Sequence, residues 1–275
     1  MRRSVMELLR CPCCEATDLR LEAEPGDEVE TGTLKCTGCG EGFPITEGIA
    51  RMLPSRLRGA SESPEVVKKQ SEMAARDAQT EDYDRMRGLR LFGKIEVPAT
   101  LAMLRPGAGD TLLEAGCGTG RMTRVFAARC ACQVSIDFSF ESLRTCRRKL
   151  RAEGVTNVDL VQADVCALPL RSEVFDRVVS CQVLEHIPTP ESRARMVSEL
   201  ARVAAPNSCV VISAYQHSLF TRLFGAKEGE HAGGIYYYRF GRRELRDLLS
   251  RSFDVRNLTG ALVYHYMARC RKTAG

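Results

Sequence analysis

The stretch that most constrains the fold is Leu112–Met122, LLEAGCGTGRM. An apolar run passes directly into Gly116-Cys117-Gly118-Thr119-Gly120, and a helix-like segment follows. Glycines at this spacing let the backbone approach a ligand closely at the carboxyl edge of a parallel sheet. The dinucleotide fingerprint G-x-G-x-x-G needs a small residue at position 121, where Arg121 stands. The Gly-Lys-Ser/Thr of a phosphate-binding P-loop is absent as well. Two acids narrow the reading. Asp137 ends the next strand, VSID, and Asp164 ends the one after it, VQAD. A carboxylate in the first position can accept both hydroxyls of a ribose. The second lies beside the adenine position of a nucleoside laid across the sheet edge.

The surrounding pattern supplies that sheet. Strands are expected at TLLEA, QVSIDFS, VDLVQAD, FDRVVSCQ and SCVVISAY. Helices are expected between them at TRVFAARC, FESLRTCRRKLRAEG and ESRARMVSELARVA, the second closed by Gly154. RRELRDLLSRS adds a helix, and VRNLTG with ALVYHYMARC a terminal strand pair. Alternating strands and helices predict an α/β fold with a mostly parallel sheet covered on both faces. Before it, residues 54–65 read as a linker, followed by a charged helix that breaks near Gly88; IEVPATLAML forms a further helix.

The front of the chain follows a different logic. Cys11 and Cys14, then Cys36 and Cys39, give two C-x2-C pairs separated by 21 residues. Each pair can sit on a tight knuckle with both sulfurs aimed at one point, and four thiolates in a closed tetrahedron favour zinc. A module of this size buries little core by itself, so the metal would supply folding energy. Cys13 is left over as a surface or knuckle cysteine. The segment CPCC…LKCTGCGEGFPITEGIARML resembles the zinc ribbons of the small activator proteins that partner tRNA, rRNA and translation-factor methyltransferases. Phe43-Pro44-Ile45 and Gly48-Ile49 carry that resemblance beyond the cysteines. It implies a ribbon that packs on a catalytic domain and does no chemistry of its own.

LLEAGCGTGRM, VSIDFS, VQADVCALPL and FDRVVSCQVLEHIP in turn resemble motifs I to IV of the class I S-adenosylmethionine-dependent methyltransferases (type 11-like). The resemblance implies a Rossmann-like sheet, mostly parallel with an antiparallel C-terminal hairpin. It divides the chain into a zinc ribbon (1–54), a linker and helical cap (55–94) and a methyltransferase domain (95–275). By the same resemblance Glu114, Gly116, Cys117 and Gly118 cradle the methionine part of S-adenosylmethionine. Asp137 and Phe138 hold the ribose, Asp164 and Val165 meet the adenine, and Cys181 and Gln182 lie beside the sulfonium. Tyr83 would close over the cofactor from the helical cap.

A sulfonium methyl donor is already activated, so a general base matters only if the acceptor keeps its proton at neutral pH. His186, in LEHIP, and His217 are the candidates; His186 reads more readily as a histidine satisfied by capping the following turn. The stretch 215–240, with His217, His231, Gly233-Gly234 and Tyr236–Tyr238, is expected either to cover the substrate or to pack its tyrosines as core. Three consecutive tyrosines cannot all face one side of a strand.

Composition limits the alternatives. No apolar run approaches the roughly 18 residues of a membrane span. The N-terminus has no apolar signal region, so the thirteen cysteines are expected to stay reduced in the cytoplasm. Residues 1–53 hold six Lys/Arg and ten Asp/Glu, a net of −4 against +5 for the whole chain, which leaves +9 on the remainder. An acidic front is a poor clamp for nucleic acid. The expected function is methyl transfer to a small molecule. The alternatives are an rRNA or tRNA base methyltransferase and a non-catalytic cofactor-binding or scaffold module. The end of the ribbon, Gly48-Ile49 and Leu53-Pro54, is similar to that of rRNA guanine-N1 methyltransferases.

Overall fold

The computed structural model describes all residues except 84–86, 219–225, 232–233, 262–263 and 274–275, and no side chains over 81–92 or at 261. The front is a meander of short strands. β1 (Leu19–Glu22), β2 (Gly32–Cys36) and β3 (Gly42–Thr46) pair antiparallel in series, and β4 (Ile49–Arg51) pairs with β3. Glu47 and Gly48 turn β3 into β4 with φ of 53° and 70°. Two left-handed residues make the tight turn whose twist suits paired strands.

A short helix α1 (Ser55–Arg58) leads to α2 (Pro64–Tyr83) and α3 (Arg87–Leu104). The alternating core follows: β5 (Thr111–Ala115), α4 (Thr123–Ala127), β6 (Cys132–Asp137), α5 (Phe140–Ala152), β7 (Val158–Gln162), β8 (Phe175–Cys181), α6 (Pro190–Val203) and β9 (Ala204–Tyr215). A separate hairpin, β10 (Glu228–His231) and β11 (Ile235–Tyr238), precedes α7 (Arg242–Leu249) and the antiparallel pair β12 (Asp254–Ala261) and β13 (His265–Arg271). The caps match the sequence. Ser139 accepts from Ser142 N–H at the start of α5, and Gly154, with φ of 68°, follows its end. Two expectations are corrected. The helix placed from Ile95 begins at Arg87 and runs through Gly88, because a helix absorbs an interior glycine at a cost of about 1 kcal/mol. The boundary placed between residues 94 and 95 therefore falls inside α3.

Among the described residues the main sheet has eleven strands, in the order β1-β2-β3-β4-β7-β6-β5-β8-β9-β13-β12. The ribbon is thus an extension of the parallel sheet. Ile49, Ala50 and Arg51 of β4 run parallel to Leu160, Val161 and Gln162 of β7. Met52 N–H then donates to Gln162 O at 2.8 Å. The two parts also share one core: Leu34, Phe43 and Ile45 belong to the same buried cluster as Val134, Val161 and Leu170. The little core expected of the ribbon is completed by its neighbour.

Polar contacts reinforce the seam. Asp159, fully buried in β7, accepts from Arg2 backbone N–H at 2.7 Å, Nε at 2.9 Å and Nη2 at 2.7 Å. Arg144 of α5 reaches Glu47 at 2.9 Å, Arg147 reaches Glu30 at 2.8 Å, and Arg151 pairs with Glu30. Each such surface pair contributes little alone. Together they set the acidic ribbon against a basic helix. Arg2 is about a quarter exposed while Asp159 is not. Arg2→Met therefore leaves a buried carboxylate without its cation, and an expected loss of about 2–4 kcal/mol in urea unfolding follows. An unchanged midpoint would show that the seam does not depend on this pair.

Candidate functional site

The carboxyl ends of β5, β6, β7 and β8 open on one cleft. Glu114, Gly116, Cys117, Gly118, Asp137, Phe138, Asp164, Val165, Cys181 and Gln182 all line it, and so does His186. The glycine loop has φ of 87°, 52° and 84° at Gly116, Gly118 and Gly120. A methyl group on Gly116 would lie 2.1 Å from Val183 Cγ2, whereas nothing lies within 4 Å of one on Gly118, whose face is open. Asp137 accepts Gly118 N–H at 2.8 Å and Ser139 N–H at 2.9 Å. A carboxylate has about four acceptor positions, so Asp137 retains capacity for hydroxyls in the cleft. Burial holds it above the usual carboxylate range. Asp164 accepts Cys166 N–H at 2.9 Å and Lys69 Nζ at 2.7 Å.

Glu114 faces inward. Its Oε2 accepts from Thr123 Oγ1 at 2.7 Å and from Ser135 Oγ and Gln133 Nε2 at 3.1 Å each. Burial pushes it up to about 7. It ties the loop to β6 more directly than it faces a ligand. Gln182, with φ of 58°, donates to both oxygens of buried Glu96 at 2.7 and 2.6 Å, and Glu96 also holds Arg121 at 2.9 Å. A glutamine in the left-handed region is a strained residue of the kind that collects at functional sites.

Several lining residues were missed from sequence. Lys69, Glu72, Met73, Arg76 and Thr80 descend from α2, which lies over the cleft. Their three- and four-residue spacing is legible as one helix face, but its polar character reads as solvated surface. Asp77 fixes that helix by accepting from Ser139 Oγ at 2.5 Å. Leu53 and Leu57, just past the ribbon, line the cleft and cluster with Val66, Met73 and Phe138. Arg51 Nε donates to Gln162 Oε1 at 3.0 Å and Gln162 Nε2 to Phe138 O at 2.9 Å, so the ribbon's last strand is wired to the cleft wall.

Tyr83 ends α2, and its side chain lies outside the described residues. His217 lines a different groove, with Arg193, Tyr238 and Arg242. It is not among the residues that line the cleft, and its backbone N–H donates to Phe240 O at 2.7 Å. The tyrosine triplet alternates as β geometry requires. Tyr236 donates to Glu228 and Tyr238 to Glu244, while the ring of Tyr237 lies 4.6 Å from that of His231. Of the expected hinge, Gly233 lies outside the described residues and Gly234 has φ of 78°.

At the front, the thiols of Cys11, Cys14, Cys36 and Cys39 lie within 4.8 Å of one another. Cys11 and Cys39 are 3.7 Å apart, Cys14 and Cys36 3.5 Å. Tetrahedral zinc with bonds of about 2.3 Å requires sulfurs about 3.8 Å apart, so the quartet fits. Cys13 stays outside it, exposed, 3.7 Å from Ser55 Oγ.

Residues 113–212 match the family model for a methyltransferase domain, and residues 2–48 match that of the Trm112p-like proteins. The chain carries a methyltransferase domain behind a Trm112p-like domain. The methyltransferase domain is similar to several named methyltransferases. A phosphatidylethanolamine N-methyltransferase of Cereibacter sphaeroides is 38% identical over 124 residues, 44% of this chain and 59% of that protein. A demethylmenaquinone methyltransferase of Clavibacter sepedonicus is 33% identical over 132 residues, 47% and 52% respectively. The chain thus spans less than two thirds of these relatives. Among solved structures, a Burkholderia thailandensis 1,6-didemethyltoxoflavin-N1-methyltransferase with bound S-adenosylhomocysteine matches with TM-score 0.62 at 15% identity, covering 92% of this chain and 100% of that one. A chain from the complex of the Haloferax volcanii Trm112 methyltransferase activator with a methyltransferase matches with TM-score 0.58 at 16% identity, covering 72% and 98%. At such identities these likenesses establish the fold.

Two outcomes follow from the site. Glu185 is fully buried, neither of its carboxylate oxygens has a hydrogen-bond partner from another residue among the described residues, and burial raises it to about 8. An acid raised on folding contributes its stability below its unfolded value, near 4.5, and loses it as pH climbs through the folded one. Stability should fall by about 1.4 kcal/mol per pH unit between these limits. Glu185→Gln should flatten that slope in urea unfolding, and a slope of the same size in the variant would remove Glu185 as its origin. Separately, metal chelation or Cys36→Ser should melt the ribbon and bare the β7 edge, seen as aggregation in size-exclusion chromatography. A chelated protein that elutes as the untreated protein does would mean the ribbon folds without metal.

Proposed function

We propose that the chain transfers the methyl group of S-adenosylmethionine to a small-molecule acceptor, with a zinc-bearing ribbon shaping the cleft. The observation that carries this is the convergence of ten residues, chosen from four strand ends, on one cleft walled by Leu53 and Phe138. The open face at Gly118 and the carboxylates of Asp137 and Asp164 suit an adenine nucleoside. When bound, the sulfonium supplies an activated methyl group. Asp137 would take the ribose hydroxyls, Asp164 and Val165 the adenine, and Cys181 and Gln182 would flank the methyl. The protein contributes position and exclusion of water, an effect of about 7–11 kcal/mol at best. Helix α2 provides the cover, with Lys69 reaching across to Asp164.

The named relatives act on small molecules, which supports this acceptor class. A second reading, methylation of an rRNA or tRNA base, draws on the Trm112p-like match. Against it, the ribbon is acidic and its Glu30 and Glu47 are paired with arginines of α5. A reducing, cytoplasmic setting fits the thirteen free thiols, and among the described residues no helix is long and apolar enough to cross a membrane.

Calorimetry with S-adenosylhomocysteine tests the core of this reading. Binding should be measurable and should weaken at least about tenfold in Asp137→Ala, an expected loss of about 1.4 kcal/mol or more. Labelled-methyl transfer into extract should survive ribonuclease. Label lost with ribonuclease, together with steeply salt-dependent RNA binding, would favour the second reading. Binding without transfer to any fraction would leave a cofactor-sensing or scaffold module.

A further inference from the structure

We propose that the groove beside the cleft is a second binding site, and that its ligand is a phosphate-bearing small molecule. The groove has a volume of about 840 Å³ and lies between the start of α6, the end of β11 and α7. Pro188 belongs to its wall and to that of the cleft, so the two are neighbours. Methyl transfer as read above makes no use of it. The deciding residue is Arg193, whose side chain lines the groove although the residue is only 5% exposed. Its Nε donates to Ile187 O at 3.0 Å and its Nη2 to Pro188 O at 3.1 Å, and the guanidinium lies 3.9 Å from the ring centre of Tyr238. Among the described residues no carboxylate pairs with it and Nη1 makes no hydrogen bond. Two carbonyls and one aromatic face offset part of a cation, but a buried charge ordinarily has a counter-charge.

The surroundings add positive potential. Arg193 is the fourth residue of α6, in the first turn, where the helix dipole disfavours a cation. Arg242 and Arg243 are the first two residues of α7, and Pro190 and Gly241, at the two helix starts, also line the groove. The acids present are already engaged. Glu244 accepts from Lys227 Nζ at 3.1 Å, from Gly241 N–H at 3.1 Å and from the Tyr238 hydroxyl. Glu228 accepts from the Tyr236 hydroxyl at 2.8 Å, and Asp247 lies 3.7 Å from Arg243. Arg242 Nη2 donates to Leu258 O at 2.7 Å. Among the described residues Arg193, Arg242 and Arg251 thus line one groove with no carboxylate of their own.

Charge and geometry select the ligand. Three guanidiniums without counter-charges suit a group that carries more than one negative charge, which a phosphate does and a monocarboxylate does not. Guanidinium forks meet phosphate oxygens with paired hydrogen bonds, and helix starts favour the same group. The groove exceeds what phosphate alone fills and falls within the about 300–1,000 Å³ of ordinary ligand sites, so it admits the rest of a small molecule.

The test is calorimetry of the purified full chain with pyrophosphate, inorganic phosphate and acetate at matched ionic strength. Pyrophosphate should bind at one site per chain, phosphate more weakly and acetate not measurably. Arg242→Gln combined with Arg251→Gln, both exposed positions, should weaken pyrophosphate at least about tenfold while circular dichroism shows the chain still folded. Arg193→Lys keeps the charge and loses the fork, and should weaken it as well. Saturating pyrophosphate should leave the affinity for S-adenosylhomocysteine unchanged. No binding of pyrophosphate, equal binding of acetate, full affinity in the folded double variant, or competition with S-adenosylhomocysteine would each overturn the proposal. Arg193 would then serve only to hold the loop at Ile187 and Pro188. The methyltransferase reading is untouched by these outcomes and fails separately, if S-adenosylhomocysteine does not bind.

Discussion

Strand β7 lies next to β4, and that placement governs much of the molecule. Every residue of β7 is buried, Asp159 among them, which is the pattern of a strand with neighbours on both sides. Within the methyltransferase domain it has one neighbour, β6; the ribbon provides the other. An edge of this character left open would pair with other chains. The same pairing brings Arg51 to Gln162 and carries Leu53 and Leu57 to the wall of the cleft. The ribbon's contribution is therefore structural twice over, to the sheet and to the site.

The charge distribution has the same origin. An acidic front and a basic remainder suggest, on composition alone, an opinion about nucleic acid. In the fold, Glu30 and Glu47 meet the arginines of α5, and Gly48 packs beneath Arg147, whose Nη2 would lie 2.4 Å from any added methyl. The asymmetry marks an internal seam between two parts of one chain, and single surface pairs there matter less than their sum.

Much of the site was legible because strand ends and glycine loops are local. A strand followed by Gly-x-Gly-x-Gly, and acids closing the next two strands, state their positions without tertiary help. The cysteine quartet was legible for the same reason, since paired spacing already sets two knuckles. What sequence did not show depends on packing between distant segments. Lys69 and Arg76 read as solvated helix until α2 is laid over the cleft. Glu96 reads as an ordinary helical acid until Gln182 bends back to it. His231 and His265 stand well apart in sequence from His186, and only the order β8-β9-β13, with the β10–β11 hairpin beside it, brings the three rings together. The boundary placed at residue 94 lies within α3, because the hydrophobic pattern changes along that helix while the helix itself continues.

The peptide link between β4 and the rest has a further consequence. A strand supplied by a separate polypeptide occupies the β7 edge only in proportion to its concentration, and it can be shared or withheld. Here the strand arrives on the same chain, so the local concentration is set by the connection and does not fall on dilution. The ratio of ribbon to methyltransferase domain is fixed at one to one.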